Sequence, residues 1–323
     1  MSDNSEKPGT GLVKSISGLI DKLNEGGLPQ VLLGPAGKSI SRLIGAGTDI
    51  PAAWFEQKAQ SIRDETEARS KVMQMLAEKS AELGMSDPAL LERGLNNLLG
   101  RAYREQQNKD AIALLTVQRL EDEPAPADSA GPSDDWLNAF EEKAAKASSD
   151  ELRSLFSRIL AGEIRKPGSF SLAALHVLSI LDQRTASIIE EIVPFAFGNL
   201  LFRKALPEGY PVANLIELEN IGIIAGSGGT LSTNWTTDSE GNFQFAAGGR
   251  ILRLVYEPNR KIKIPVYYVS KSGSELFQVL NVDQDEQAII KALWLSEPKK
   301  MYKIQQLPDE PGMGLLFPIE KPA

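Results

Sequence analysis

No cysteine occurs in the 323 residues, which excludes a disulfide framework, a thiolate nucleophile and a Cys-ligated zinc. Histidine is almost as scarce. The single one, His176, rules out His-rich metal sites and lies between Leu175 and Val177 in an apolar helical pattern, where a structural role is the expectation. No apolar run approaches the roughly 20 residues needed to span a bilayer. The longest, 193–202, is interrupted by Gly198 and Asn199. A basic-then-apolar start with a small-residue cleavage site is also missing, so a cytoplasmic location is expected.

What remains is a balanced globular composition, 42% hydrophobic and 24% charged, long enough for two domains. The net charge of −8 comes mostly from the first half, where residues 1–150 hold 17 Lys+Arg against 24 Asp+Glu. Such an excess argues against phosphate-backbone binding over the whole surface, though not against a local basic face.

Residues 1–10 are polar, contain Pro8 and Gly9, and read as a disordered tail. The first domain is expected over 11–120 and is helical. It opens on an amphipathic segment that sets Leu12, Val13, Ile16, Leu19, Ile20 and Leu23 on one face, suited to docking on its own protein, on a partner or on a membrane surface. A glycine-spaced stretch follows, then a charged helix from Ala52 to about Gly84. The next helix should start at Ser86-Asp87-Pro88, where a capping residue and an early proline coincide, and continue past Tyr103 to Leu120. Residues 121–135, acidic and rich in proline, read as a linker.

The second domain, 136–323, begins with the most regular pattern in the chain. Ser148 and Ser149 before Asp150 and Glu151 supply a capping oxygen and first-turn carboxylates, and Leu152, Leu155, Phe156, Ile159 and Leu160 form one stripe at helical period. Pro167-Gly168 ends that helix. A second helix capped by Ser169 or Ser171 runs on towards Ile188 and Ile192, giving a helical hairpin. Further on, a short helix at 214–221 precedes a ribbon in which 250–255 pairs with 261–269 about Pro258-Asn259, and a helix after Ser270. That order resembles a winged helix. The last part, 283–323, holds one more helix and an edge strand. The fold class expected is therefore mainly α, with a smaller α+β carboxy-terminal module.

The run Trp136, Phe140, Ser148-Ser149, Glu151-Leu152, Leu155, Arg158-Ile159-Leu160-Ala161-Gly162-Glu163 and Lys166-Pro167-Gly168-Ser169-Phe170-Ser171 resembles a bacterial domain-of-unknown-function family typified by a RILAGEI/PGSFS signature. The overall layout, with Leu33-Gly34-Pro35-Ala36-Gly37-Lys38, is more distantly similar to the abortive-infection alpha family, which implies phage resistance. Neither resemblance brings a catalytic residue with it.

Candidate sites are few. Gly34 to Ser39 reads GPAGKS, but only Pro35 and Ala36 separate the first glycine from the Gly-Lys pair, where a phosphate-binding loop needs four residues; a turn before a helix is expected. Glu141-Glu142, Glu190-Glu191 and Asp283-Asp285-Glu286 read as solvated helix surface. Arg250, Arg253, Arg260, Lys261 and Lys263, with Tyr256, Tyr267 and Tyr268 between them, are the best basic cluster and the candidate contact for nucleic acid or a partner. The 214–221 helix beside them carries Glu217 and Glu219 and no cation, which would repel phosphate.

No catalytic, metal or cofactor-binding constellation emerges. The leading expectation is a non-enzymatic interaction protein that exposes its amino-terminal region when a protein partner releases it. A winged-helix DNA-binding regulator and a membrane-acting effector working through residues 11–50 are the alternatives. Homo-oligomerisation stays open.

Overall fold

The computed structural model describes residues 34–45, 88–247, 250–280, 282–306 and 314–322, and these divide into two compact units at Ser179/Ile180. The amino-terminal tail, the amphipathic face from Leu12 to Leu23 and the expected helix from Ala52 to Gly84 lie outside the described residues.

In the first unit, helix α1 (Pro35–Leu43) starts with proline in its first turn and buries Ile40 and Leu43 completely or nearly so. It packs on α2 (Pro88–Asp122), one continuous helix of 35 residues. The carboxy-terminal turns of α2 carry the buried stripe Ile112, Ala113, Thr116, Val117 and Leu120, whose spacings of three and four put all five on one face. Thr116 satisfies its hydroxyl inside that stripe by donating to the Ile112 carbonyl at 2.7 Å. Helix α3 (Asp134–Ala144) is capped by the Ser133 hydroxyl, which accepts from the Trp136 N–H. Helix α4 (Asp150–Arg165) is capped by Ser149 as its sequence requires, the acceptor lying 3.2 Å from the Leu152 nitrogen. Trp136 stacks on Phe140 at 5.0 Å, and Phe140 meets Phe156 edge-on at 5.6 Å, so α3 and α4 share one aromatic seam.

Two sequence expectations change here. Helix α5 (Leu172–Ile180) does not run on to Ile192: Asp182 takes the Thr185 N–H at 2.7 Å and opens a separate helix, α6 (Gln183–Ile192), in the second unit. The chief helix packed along α4 is α2, not α5, so the two helices flanking Pro167 do not form a side-by-side hairpin. The reason is local. The turn at 166–170 folds back onto the end of α4, where the Phe170 ring meets Gly162 and Glu163 accepts from the Gly168 and Phe170 amides.

Residues 121–135 lie within the first unit. Glu121 and Asp122 complete α2, the Ser129 hydroxyl donates to the Ile164 carbonyl at 2.6 Å, and Arg165 reaches the Glu123 carbonyl at 2.7 Å. Polar bonds to α4, rather than apolar burial, hold this acidic stretch in place.

The second unit contains two antiparallel sheets. One joins β1 (Ala196–Phe197), β2 (Leu200–Phe202), β7 (Lys261–Val269) and β3 (Ile224–Ala225), with β4 (Ser232–Thr236) also on β7; the other has the order β5-β6-β8-β9, with β5 (Asn242–Ala247), β6 (Arg250–Val255), β8 (Lys300–Gln306) and β9 (Gly314–Ile319). The expected pairing of 250–255 with 261–269 is therefore wrong. Strand β6 pairs with β5 and β8, whereas β7 pairs with β2, β3 and β4.

The cause is a single long hairpin folded in half. Thr236 pairs with Lys261, Thr237 N–H donates to the Arg260 carbonyl, Asn259 N–H to Asp238, Tyr256 N–H to Gly241, and Asn242 pairs with Val255. The register never breaks. Both strands bend at the same level, where Gly241 (φ 86°) and Asn259 (φ 54°) enter the left-handed region open to glycine and asparagine. Folding brings the inner faces together. Trp235 of β4 stacks on Phe243 of β5 at 4.4 Å, Phe197 meets Phe245 at 4.8 Å, and Leu252, Leu254, Ile262, Ile264 and Met301 close the core. Helices α7 (Val212–Asn220), α8 (Lys271–Leu280) and α9 (Glu286–Trp294) complete this unit, and Ile289 and Leu293 of α9 enter the same core.

At the bend, the Asp238 carboxylate accepts from the Asn242 N–H at 2.7 Å and the Glu240 N–H at 2.9 Å. These bonds, the one from Asn242 foremost, hold its pKa below the usual aspartate value. A depressed folded pKa contributes stability that is full above the unfolded value and disappears as pH falls through the folded one. Acid titration followed by tyrosine and tryptophan fluorescence should accordingly show Asp238→Asn losing part of the acid dependence; an unchanged acid limb would contradict the role given to this turn.

Candidate functional sites

The signature segment around Gly162 and Glu163 is the first place to look for chemistry, and its geometry is that of a buried clasp. Helix α4 ends where Pro167 removes a donor, leaving the turn amides of Gly168 and Phe170 to be satisfied. Glu163, 2% exposed, supplies the acceptors: one carboxylate oxygen takes the Gly168 N–H at 2.6 Å and the other takes the Phe170 N–H at 3.0 Å. Gly168 itself has φ 84°, which only glycine adopts without penalty. The turn so held lays the Phe170 ring over Gly162, where a Cβ would come within 2.7 Å of the ring, and Trp136 donates its indole N–H to the Phe170 carbonyl at 2.8 Å. Each of these polar groups is used up in holding the turn. Both carboxylate oxygens are engaged in this turn, so the signature residues build it.

Other candidates resolve similarly. Gly34 has φ 85° and Pro35 opens α1, so GPAGKS forms a turn leading into a helix, with Lys38 exposed. His176 is exposed on α5, and its carbonyl accepts from the Ser179 hydroxyl at 2.7 Å. Glu141 pairs with Arg42 at 2.8 Å, which ties α1 to α3 together with the Arg42–Asp134 bond at 2.9 Å. Glu191 accepts from the Tyr210 hydroxyl at 3.1 Å, and Asp285 caps α9 through the Ala288 N–H at 2.9 Å. Among the described residues, no three His, Asp or Glu side chains come together as metal ligands.

The structure separates the expected basic cluster. Arg250 and Arg253 belong to β6, and Arg253 stands on its outer face in register with Gln244 and Tyr302. Arg260 lies at the bend, 5.4 Å from the centre of the Tyr256 ring. Lys261 and Lys263 are exposed on the outer face of β7 beside Thr236 and Asn234. Since the two sheets pack inner face to inner face, Arg253 and the lysine pair look out in opposite directions. Of the tyrosines, Tyr256 and Tyr267 are buried, and Arg203 sits 5.7 Å over the Tyr267 ring.

The carboxylates of α7 are also accounted for. Glu217 accepts from the Thr185 hydroxyl at 2.8 Å and pairs with Arg184 at 3.3 Å. Glu219 accepts from the Gly226 N–H at 2.7 Å and from the Ser227 hydroxyl, bonds that lower its pKa, the Ser227 hydroxyl contributing most. The residues that α7 leaves exposed include the apolar Val212 and Ile216, one helical turn apart, and no cation.

An apolar surface lies on β9, an edge strand of the kind expected in 283–323. Leu315, Leu316 and Phe317 are 53%, 44% and 46% exposed on consecutive positions of a strand that borders its sheet. Alternation puts Leu316 on one face and the other two on the opposite face, so both sides of this edge are apolar and open. The four-residue run Gly314-Leu315-Leu316-Phe317 between prolines at 311 and 318 was its only sequence signal.

No curated protein and no solved structure matches the chain. A family model does match, over residues 92–200, which contain nearly all of α2, the clasp at Glu163 and the chain as far as the start of β2. Over that segment, whose RILAGEI and PGSFS elements build the clasp, the chain is similar to the family described as Protein of unknown function (DUF2806).

Proposed function

We propose that the protein is a non-enzymatic interaction protein that binds an extended segment of a protein partner along β9. The observation that carries this reading is a strand edge left unpaired among the described residues, with Leu315, Leu316 and Phe317 exposed on both of its faces. An open row of backbone donors and acceptors provides affinity for an added strand, and alternating apolar side chains provide selectivity. Pro318, opposite Tyr302, supports a bounded docking site: proline offers no donor, so the run open to pairing is short and an endless sheet is discouraged. The exposed pair Val212 and Ile216 on α7 is a second apolar surface of the same kind.

Photo-crosslinking from position 316 in living cells tests the proposal. A discrete adduct is expected from Leu316 replaced by a photoreactive residue, and it should disappear when Phe317→Asp is added. Absence of any adduct in cells expressing folded protein would remove the reading.

Nucleic-acid binding draws less support, because the expected cations are divided between two outward faces and α7 offers apolar rather than basic side chains. A role in phage defence is suggested by resemblance of layout alone. A cytoplasmic location fits this proposal, and no described helix is long and apolar enough to cross a membrane.

A further inference from the structure

The sheet that ends in β9 carries one continuous apolar row on its outer face. Ala246 of β5, Ile251 of β6, Ile304 of β8 and Leu316 of β9 stand in register there, the first and last exposed and the middle two half-buried. On the opposite, core-facing side, Phe317 is in register with Lys303 and, beyond it, with the buried Leu252. No residue from Gly314 to Ile319 is charged. The strand therefore has none of the charges that ordinarily keep a second chain off a free edge, and among its residues Pro318 alone limits pairing.

The direction of the backbone groups on that edge follows from the ladder. Tyr256 donates its N–H to the Gly241 carbonyl across β5 and β6, so alternation turns Arg253 toward β8 and its partner Tyr302 toward β6. Pro318, opposite Tyr302, accordingly turns its nitrogen away from β8, where the missing donor costs no bond. Alternate residues share that direction. Gly314 and Leu316 thus present N–H and C=O to the open edge, and Pro318 presents its C=O.

We propose that the segment docked along β9 is β9 of a second copy of this chain, running antiparallel, with Leu316 opposite Leu316 on a twofold axis. The inference rests on the strand-docking reading above and names its partner. In this register the two Leu316 residues exchange both of their hydrogen bonds, and Gly314 of each copy donates to the Pro318 carbonyl of the other, so the absent proline donor falls at the end of the ladder. Leu315 comes opposite Phe317 of the second copy on the core-facing side, and on the outer face the apolar row continues through Leu316 into the row of the second copy. Each of the three exposed side chains gains an apolar cross-strand neighbour, and no charge on the strand meets a like charge. A twofold pairing also closes on itself. Docking β9 on β5, the other edge of the sheet, would leave a free β9 on every added copy and grow without end.

Light scattering coupled to size-exclusion chromatography of the full chain, over a wide range of concentration, tests the assignment. A mass of two chains is expected; one chain at every concentration, or open-ended growth, would overturn it. Leu316→Lys sets two ammonium groups against each other on the axis and should reduce the mass to one chain, as should Leu316→Glu. An equimolar mixture of the two variants should restore the two-chain mass, since each then meets its opposite. Unchanged circular dichroism of both variants separates loss of pairing from loss of fold. A two-chain mass kept by both variants, or no recovery in the mixture, would count decisively against the second copy. The photo-crosslink from position 316 separates this inference from the broader reading: an adduct of two chains supports both, whereas an adduct of any other mass removes the second copy and keeps strand docking.

Discussion

Gly241→Ala should destabilise the second unit by about 3 kcal/mol or more, among the larger effects of a single substitution. Two costs coincide at this position. The backbone has φ 86°, where a side chain costs roughly 1 to 2 kcal/mol. A Cβ would also stand 2.3 Å from the Tyr256 carbonyl oxygen. That neighbour is backbone, and its own residue donates back to the Gly241 carbonyl at 2.8 Å, so it cannot withdraw without parting the two strands. The bend is what stacks Trp235 on Phe243, hence loss of the near-ultraviolet aromatic signal should accompany the loss of stability. Chemical denaturation of the variant checks the magnitude. A change below about 0.5 kcal/mol, as at an ordinary surface site, would mean that the ribbon folds without the left-handed glycine.

Glu163→Ala should be comparably damaging to the first unit. The substitution leaves the Gly168 and Phe170 amides without their acceptor, and an unsatisfied buried polar group costs about 1 to 3 kcal/mol. A loss of roughly 2 to 5 kcal/mol is expected for the pair, with Phe170 free to leave Gly162 and the Trp136 indole losing its fixed partner. Glu163→Gln keeps one acceptor oxygen and should lie between the two. Thermal and urea unfolding with tryptophan fluorescence, to which Trp136 contributes as one of four tryptophans, distinguish the three proteins. Equal stability of Glu163→Ala and the parent would undo the account of the signature as a clasp and reopen a chemical role for the carboxylate.

Local chemistry was legible in the sequence where the deciding groups are neighbours along the chain. Ser149 caps α4 and Pro88 opens α2 as their positions require, because capping and proline geometry depend on residues within one turn. Asp182 was equally local, yet the apolar residues on either side of it mimic one uninterrupted helix, and the cap was missed. The role of Glu163 was hidden for a different reason. Its acceptors meet amides five and seven residues away across a turn whose path is not written in any periodicity.

Pairing of strands was the least legible feature. Residues 250–269 carry a clear ribbon pattern with a turn at Pro258-Asn259, and nothing in that stretch says that each arm belongs to another strand. The fate of the basic residues followed from the same decision, since a ribbon folded in half turns Arg253 away from Lys261 and Lys263.

The sequence by itself determined the helical first unit, the caps and stops of its main helices, the mixed character of the second unit and the lack of cysteine chemistry, because composition, period and capping act within a few residues. Only the tertiary structure decided that α4 lies along α2, that one hairpin supplies strands to two sheets, and that Arg165 of α4 reaches the Arg119 carbonyl of α2. Each of those depends on apolar burial and backbone hydrogen bonding between segments far apart in the chain, and many arrangements of the same local elements satisfy the local rules equally well.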